Sequence, residues 1–320
     1  MSTTQPSILE NPGRIIVIGD IHGDIDRLLH IFVSLHIFSP TLEWIAEPRN
    51  TVVIQLGDQI DSMDRTGTND VWDYTSDACK DGILDLNIIT LMDKLDSIAV
   101  KDGNGGRILS LIGNHEMLNL MHNFSYVSPC SMNIVHPELR KELFARGTGH
   151  FTHILAKRNV IAKIGKFIFC HAGVLPLHLD ILNNIYGNVN VDAFNTIFRK
   201  FVLAEHLTQE EQVILNECIL TDNGILWTRA YMELLTTLHT IPSVENAFDN
   251  ILTSVLETTN CIGMFIGHNT VPTITGVLNK LYFVDAALSR AYNTNKIQVI
   301  ELFTKDSEET VINLIEIPCC

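Results

Sequence analysis

Five short segments of this chain carry side chains suited to holding cations and phosphate: Gly19-Asp20-Ile21-His22-Gly23, Gly57-Asp58-Gln59-Ile60-Asp61, Gly113-Asn114-His115-Glu116, His171-Ala172-Gly173 and Gly267-His268-Asn269. Hydrolysing a phosphate ester near neutral pH needs a strong nucleophile, charge neutralisation on the phosphoryl oxygens and a proton for the departing oxygen. Two cations about 3.5–4 Å apart supply the first two. A mixed set of carboxylate, imidazole and amide-oxygen donors suits Mn, Fe or Zn better than Mg or Ca alone. One carboxylate has to bridge the pair.

Taken singly, Gly-Asp is a common turn and a lone histidine is more often a core or surface residue than a ligand. Their placement makes the difference. Each segment ends or follows a short apolar run rich in β-branched residues, at 14–18, 51–56, 108–112, 167–170 and 262–266, and such runs predict buried strands. Ligands of open α/β sheets sit outside the carboxyl ends of the strands, so the five exits are expected to converge at one sheet edge. Residues 81–100 repeat apolar positions at helical spacing and predict a helix packed on the sheet. The stretch 177–256 has no strand signal and holds several amphipathic helices, one of them over 191–207. The runs at 281–284, 297–300 and 311–315 predict closing strands.

The ordered segments resemble those of the calcineurin-like metallophosphoesterase superfamily, and within it the phosphoprotein phosphatase type. Three further stretches are similar to the Shewanella-like protein phosphatases: 113–120 followed by Tyr126-Val127, Leu226-Trp227-Thr228-Arg229-Ala230-Tyr231, and 284–292. The resemblance covers about 14–292. It implies an α/β fold, a four-layer α/β/β/α sandwich with a helical cap inserted at about 177–256. A single catalytic domain over 14–318 would follow a disordered or extended tail, 1–13. Carried over residue by residue, it implies that Asp20 and His22 hold one metal, that Asp58 bridges, and that Asn114, His171 and His268 hold the other. A hydroxide bridging the metals would attack, with no covalent enzyme intermediate. His115 would be the general acid, oriented by Asp61, and Asn114 and Arg229 would also contact the phosphate. Glu116 is expected to orient its neighbours, and Asn119 stands where a zincin would have its second histidine.

The sequence departs from the family pattern at two places. Ser62 stands where an arginine usually follows the second aspartate, and Arg65, three residues on, is the expected replacement. Asn269 stands where the nearest pattern has threonine, so the rim beside His268 is expected to differ.

Composition fits an intracellular enzyme. The 320 residues are 46% hydrophobic and carry a formal net charge of −15, with 22 basic and 37 acidic residues, which argues against nucleic-acid partners, since backbone binding relies on basic patches. Seven cysteines without a Cys-x-x-Cys pair suggest a reducing compartment, cytoplasmic or, for a viral chain, the host cytoplasm. No apolar run reaches the ~18 residues that cross a bilayer. The expected activity is that of a metal-dependent phosphomonoesterase acting on a phosphorylated protein or a small phosphoester, regulatory subunits being unspecified. A nucleotide or dinucleoside polyphosphate hydrolase is the alternative within the superfamily. A catalytically silent binding module that keeps the fold is the alternative from another functional class.

Overall fold

The computed structural model describes residues 4–10, 12–62, 85–292, 294–304 and 310–319. Two sheets stack face to face. The five-stranded sheet is ordered β11-β10-β2-β3-β4, with β2 Arg14–Ile18, β3 Thr51–Gln55 and β4 Arg107–Ser110 parallel, and β10 Lys296–Thr304 and β11 Thr310–Pro318 an antiparallel hairpin at one side. The six-stranded sheet is ordered β1-β5-β6-β7-β9-β8: β1 Ile8–Leu9, β5 Ile161–Ile164, β6 Phe167–Cys170, β7 Gly263–Ile266, β8 Thr275–Val277 and β9 Leu281–Phe283.

Alternation along the strands explains the layering, because successive side chains point to opposite faces. Ile15, Val17, Val52, Ile54 and Leu109 of one sheet join Ala162, Ile164, Phe167, Phe169 and Phe265 of the other in a dry core between the sheets. Phe169 and Phe265 stack at 5.1 Å. The alternate residues, Ile16, Ile18, Val53, Ile108, Ile168, Met264 and Ile266, belong to the core shared with the helices. Both faces of each sheet are therefore apolar, so the strands read as continuous hydrophobic runs.

On the outer faces lie α1 Ile25–Ser34, capped by the Asp24 side chain on the Arg27 amide, and α2 Asn87–Asp102. The expected helix at 81–100 thus begins at Asn87, with 81–84 outside the described residues. Between β6 and β7 run α7 Pro176–Tyr186, α8 Asp192–Val202, α9 Gln209–Ile214, a π-helical turn Leu215–Leu220, α10 Ala230–Thr240 and α11 Glu245–Thr258. Helix α8 is shorter than the spacing at 191–207 suggests, ending before Ala204 takes φ 54°. The short helices α3 Asn114–Leu120, α4 Pro129–Ile134, α5 Pro137–Leu143 and α6 His150–Leu155 follow β4.

The N-terminal segment is tied down. Gln5 is buried, bonded to Ile108 O and Ser110 N, and β1 pairs with β5. Cys130 is disulfide-bonded, contrary to the expectation of unpaired cysteines, while Cys170, Cys218, Cys261 and Cys319 are free. No helix among the described residues is long and apolar enough to cross a membrane.

Candidate two-metal site

The sequence placed all five exits on one sheet edge, but they come from both sheets. Strands β2, β3 and β4 deliver Asp20, Asp58 and Asn114 from the five-stranded sheet, and β6 and β7 deliver His171 and His268 from the six-stranded one. Stacking sets these carboxyl ends side by side at one rim of the sandwich.

Backbone bonds fasten the loops together. The amides of Ile21 and His22 donate to Asp58 O at 3.1 and 3.0 Å, and that of Gly23 to Gln59 O at 2.6 Å. The fully buried Glu116 accepts from the amides of Gly113 at 2.7 Å, Asp58 at 3.0 Å, Gln59 at 2.8 Å and Ile60 at 3.3 Å. One carboxylate thus clamps the second and third loops. Burial lifts its pKa, and Asp58 lifts it further. Gly57, at φ +100°, permits the contact, since a Cβ there would lie 2.6 Å from Gly113 N. His22, Asp58, Asp61 and His268 have φ of 47°, 52°, 60° and 59°. Non-glycine residues rarely occupy this left-handed region, and such strain concentrates where surrounding contacts enforce a functional geometry.

Two groups of side chains could each hold a metal ion: His22, Asp58 and His115, and Asp58, His171 and His268, with donor atoms within 4.8 Å of one another in each. Asp58 belongs to both. Burial opposes its charge, but the imidazoles of His115, His171 and His22 outweigh that and hold its pKa well below the usual range.

Tautomers test the fit. His171 Nδ1 lies 2.8 Å from Leu56 O, to which it donates, leaving Nε2 2.9 Å from Asn114 Oδ1 and 3.3 Å from Asp58 Oδ2. His268 donates Nε2–H to Trp227 O at 3.0 Å, leaving Nδ1 2.9 Å from the same Asn114 oxygen. In the neutral rings, two nitrogen lone pairs face one amide oxygen with no proton between them, and a cation satisfies all three. Burial, aided by His171, pushes His268 down to about 3, so it is neutral at pH 7. Burial also depresses His171, yet Asp58 carries it above its usual value, and that proton must leave on ligation. Asp20 is pushed well above the carboxylate range by burial and then by Asp285 and Asp58. Buried carboxylates crowded this way call for cations. The residues present fit a pair of them.

Asp20 lines the same pocket and accepts from the His268 amide at 3.1 Å, and His115 stands with His22 and Asp58 in one of the two groups. His115 also bonds through Nδ1 to Asp61 Oδ2 at 2.9 Å, and its Nε2 lies 3.7 Å from Asp58 Oδ2. The edge of Tyr126 packs against its ring at 5.3 Å.

Above these groups opens a cavity of about 470 Å³ whose walls include Asp58, Asn114, His115, Tyr126, Trp227 and Arg229. Arg229 is exposed, with Nη1 3.2 Å from Oδ1 of the buried Asn269. The Asn269 departure therefore supports an arginine at the rim. Arg65 lies outside the described residues. Ser62, at the departure itself, is buried with Oγ 3.3 Å from Ser128 Oγ. Sequence reasoning missed Asp222, Glu233, Asp285 and Tyr292 on the cavity wall, and Arg140 behind Asp61. Arg140 sits in a charged Glu-Leu-Arg-Lys-Glu run that reads as a solvated face, so nothing local marked it.

Stacked sheets with carboxylate, imidazole and amide groups that could hold metal ions at one rim are the architecture of a metallophosphoesterase. The chain belongs to the calcineurin-like phosphoesterase family, whose sequence model matches residues 13–227. It is 25% identical over 283 residues to Shewanella-like protein phosphatase 1 of Plasmodium berghei (strain Anka), covering 87% of this chain and 67% of that one. It is 28% identical over 230 residues to the uncharacterized protein R398 of Acanthamoeba polyphaga mimivirus, covering 62% of this chain and 88% of the other. Among solved structures, the cold-active protein-tyrosine phosphatase of a psychrophilic Shewanella shares the fold with a TM-score of 0.70 at 18% identity, over 99% of this chain and 83% of that one. The resemblance seen in the motifs and the two-sheet fold both hold.

Proposed function

We propose that this protein is a phosphomonoesterase that removes phosphate from phosphorylated proteins, with Asp20, His22 and Asp58 holding one cation and Asp58, Asn114, His171 and His268 holding the other. When bound, the cations supply charge neutralisation and activation of water. The observation that carries the reading is Asn114 Oδ1 faced by the His171 and His268 lone pairs, one residue from a histidine bonded to a buried aspartate.

The chain's own groups do the rest. Arg229 grips the phosphate from the rim, its guanidinium steadied by Asn269. Asp61 accepts His115 Nδ1–H, favouring the imidazolium and turning Nε2 toward the substrate. As the P–O bond breaks, the Nε2 proton passes to the departing oxygen. The helices from α7 to α11, which bring Arg229, Asp222 and Glu233 to the opening, act as a cap that selects the substrate.

The test is a panel of phosphoserine, phosphothreonine and phosphotyrosine peptides set beside nucleoside phosphates and dinucleoside polyphosphates, each with metal-loaded protein. Faster turnover of one peptide class supports the proposal. Turnover confined to nucleotides replaces it with the nucleotide hydrolase.

A further inference from the structure

Behind Asp61 lies a second layer of polar contacts. Arg140, on α5, is wholly buried with its guanidinium between the rings of Phe124 and Phe144, 5.8 and 5.7 Å from their centres. Its Nη2 donates to Asp61 Oδ1 at 2.7 Å, and its Nε to Asn119 Oδ1 at 2.6 Å. Asn119 Nδ2 in turn lies 3.1 and 3.0 Å from the two Asp61 oxygens and 2.9 Å from His115 O. Asn119 follows His115 by one helical turn, so both side chains leave the same face of α3. The Asp61 amide is held as well, donating to Asp85 Oδ2 at 3.2 Å.

An arginine with no exposure carries a desolvation penalty that only partners in good geometry offset. Phenylalanine rings and a hydrocarbon core would be served better by leucine or methionine. What the guanidinium provides is directional: a carboxylate gripped at Oδ1 by Arg140 and at both oxygens by Asn119 has one remaining rotamer. In that rotamer Oδ2 meets His115 Nδ1 at 2.9 Å. With Nδ1–H donated to Asp61 Oδ2, Nε2 is the ring nitrogen left to face the cavity.

We infer that Arg140, coupled through Asn119, is a positioning residue for leaving-group protonation: it fixes the Asp61 carboxylate so that His115 Nε2 faces the departing oxygen. The inference rests on the reading of His115 as general acid. Arg140 touches neither the metal ligands' donor atoms nor the cavity, so its removal acts on one step of the reaction.

Leaving groups that depart readily as anions need no proton, whereas poor ones do. The experiment therefore compares metal-loaded Arg140→Met, Asn119→Ala, His115→Asn and the Arg140→Met/His115→Asn pair on dinitrophenyl phosphate and on phenyl phosphate, with metal content and KM measured for each. For Arg140→Met the expected loss in kcat is about tenfold to a hundredfold on phenyl phosphate and within about threefold on dinitrophenyl phosphate, KM and metal content holding. Adding Arg140→Met to His115→Asn should cost nothing more, because both act on one proton transfer. Should Arg140→Met fail to fold, Asn119→Ala decides, with the same substrate dependence at smaller size. Equal losses on both substrates, or additive losses in the pair, would overturn the inference and leave Arg140 a structural residue. If His115→Asn itself loses equally on both substrates, the general-acid reading fails and takes this inference with it.

Discussion

The two sides of the cavity are built differently. On the sheet side, Asp58, Asp61, Asn114, His115 and Glu116 are buried, and Glu116 and Asp61 alone gather more than half a dozen hydrogen bonds across three loops and α5. On the helical side, Arg229 is exposed and Asp222 and Glu233 stand in solvent. The difference separates two tasks. Groups that carry out the chemistry must be held before substrate arrives, since misplacement by a fraction of an ångström costs rate. Groups that only meet a ligand at the opening can sit on an exposed rim.

The largest expected effect falls on the residue shared by both metal groups. Asp58→Asn should lower turnover on the order of a thousandfold or more and weaken both metals, read by metal analysis after dialysis. Near-normal turnover with full metal content would remove Asp58 from the bridging position. His115→Asn is expected to lower kcat about a hundredfold to a thousandfold with both metals retained. A metal-free product would instead make His115 a ligand, as its place beside His22 and Asp58 allows.

Breaking the clamp comes next. In Glu116→Gln the amide nitrogen must replace an oxygen that accepts two backbone N–H groups, leaving two of the four donors unmatched. A loss of about 2–4 kcal/mol, seen as a lower denaturant midpoint, is expected. Arg229→Ala, across the cavity, should raise KM roughly tenfold with stability and metal content unchanged. A large fall in kcat at constant KM would show that the rim takes part in the transition state, and would erase the division drawn between the sides.

The smallest effect concerns the helical side's own footing. His178, buried on α7, donates Nε2–H to Asn223 O and accepts the Leu175 amide on Nδ1, bonds suited to the neutral ring. Burial pushes its pKa from 6.5 down to about 4. The unfolded chain therefore binds more protons between these values, so stability is full above about pH 6.5 and declines as pH falls toward about 4. His178→Gln should flatten that part of the stability profile. An unchanged slope would remove His178 as its cause.

Legibility in the sequence followed the same division. The motif strands could be read because burial on both faces writes an uninterrupted apolar run, and the candidate ligand residues because a glycine close to a polar side chain punctuates each strand end. That two sheets rather than one supply the exits could not be read from the runs themselves, since a buried strand looks alike in either sheet. Strands β1 and β8, of two and three residues, were too short to register, and Lys163 interrupts the apolar run of β5. The helical side yielded Arg229 through the Trp-Thr-Arg motif, yet Asp222 and Glu233 carry no local mark of lying on a cavity wall. Arg140 was hidden for the opposite reason: its neighbours Glu138 and Glu142 are exposed, while its own side chain has no exposure at all.

The most direct test of a two-metal phosphoesterase is hydrolysis of an aryl phosphate by protein first stripped with chelator and then reloaded with Mn, Fe, Zn or Mg, with metal stoichiometry measured in parallel. The account predicts activity lost on stripping and restored as the second equivalent of metal binds. Two metals bound per chain with no hydrolysis, or full hydrolysis by the stripped protein, would contradict it.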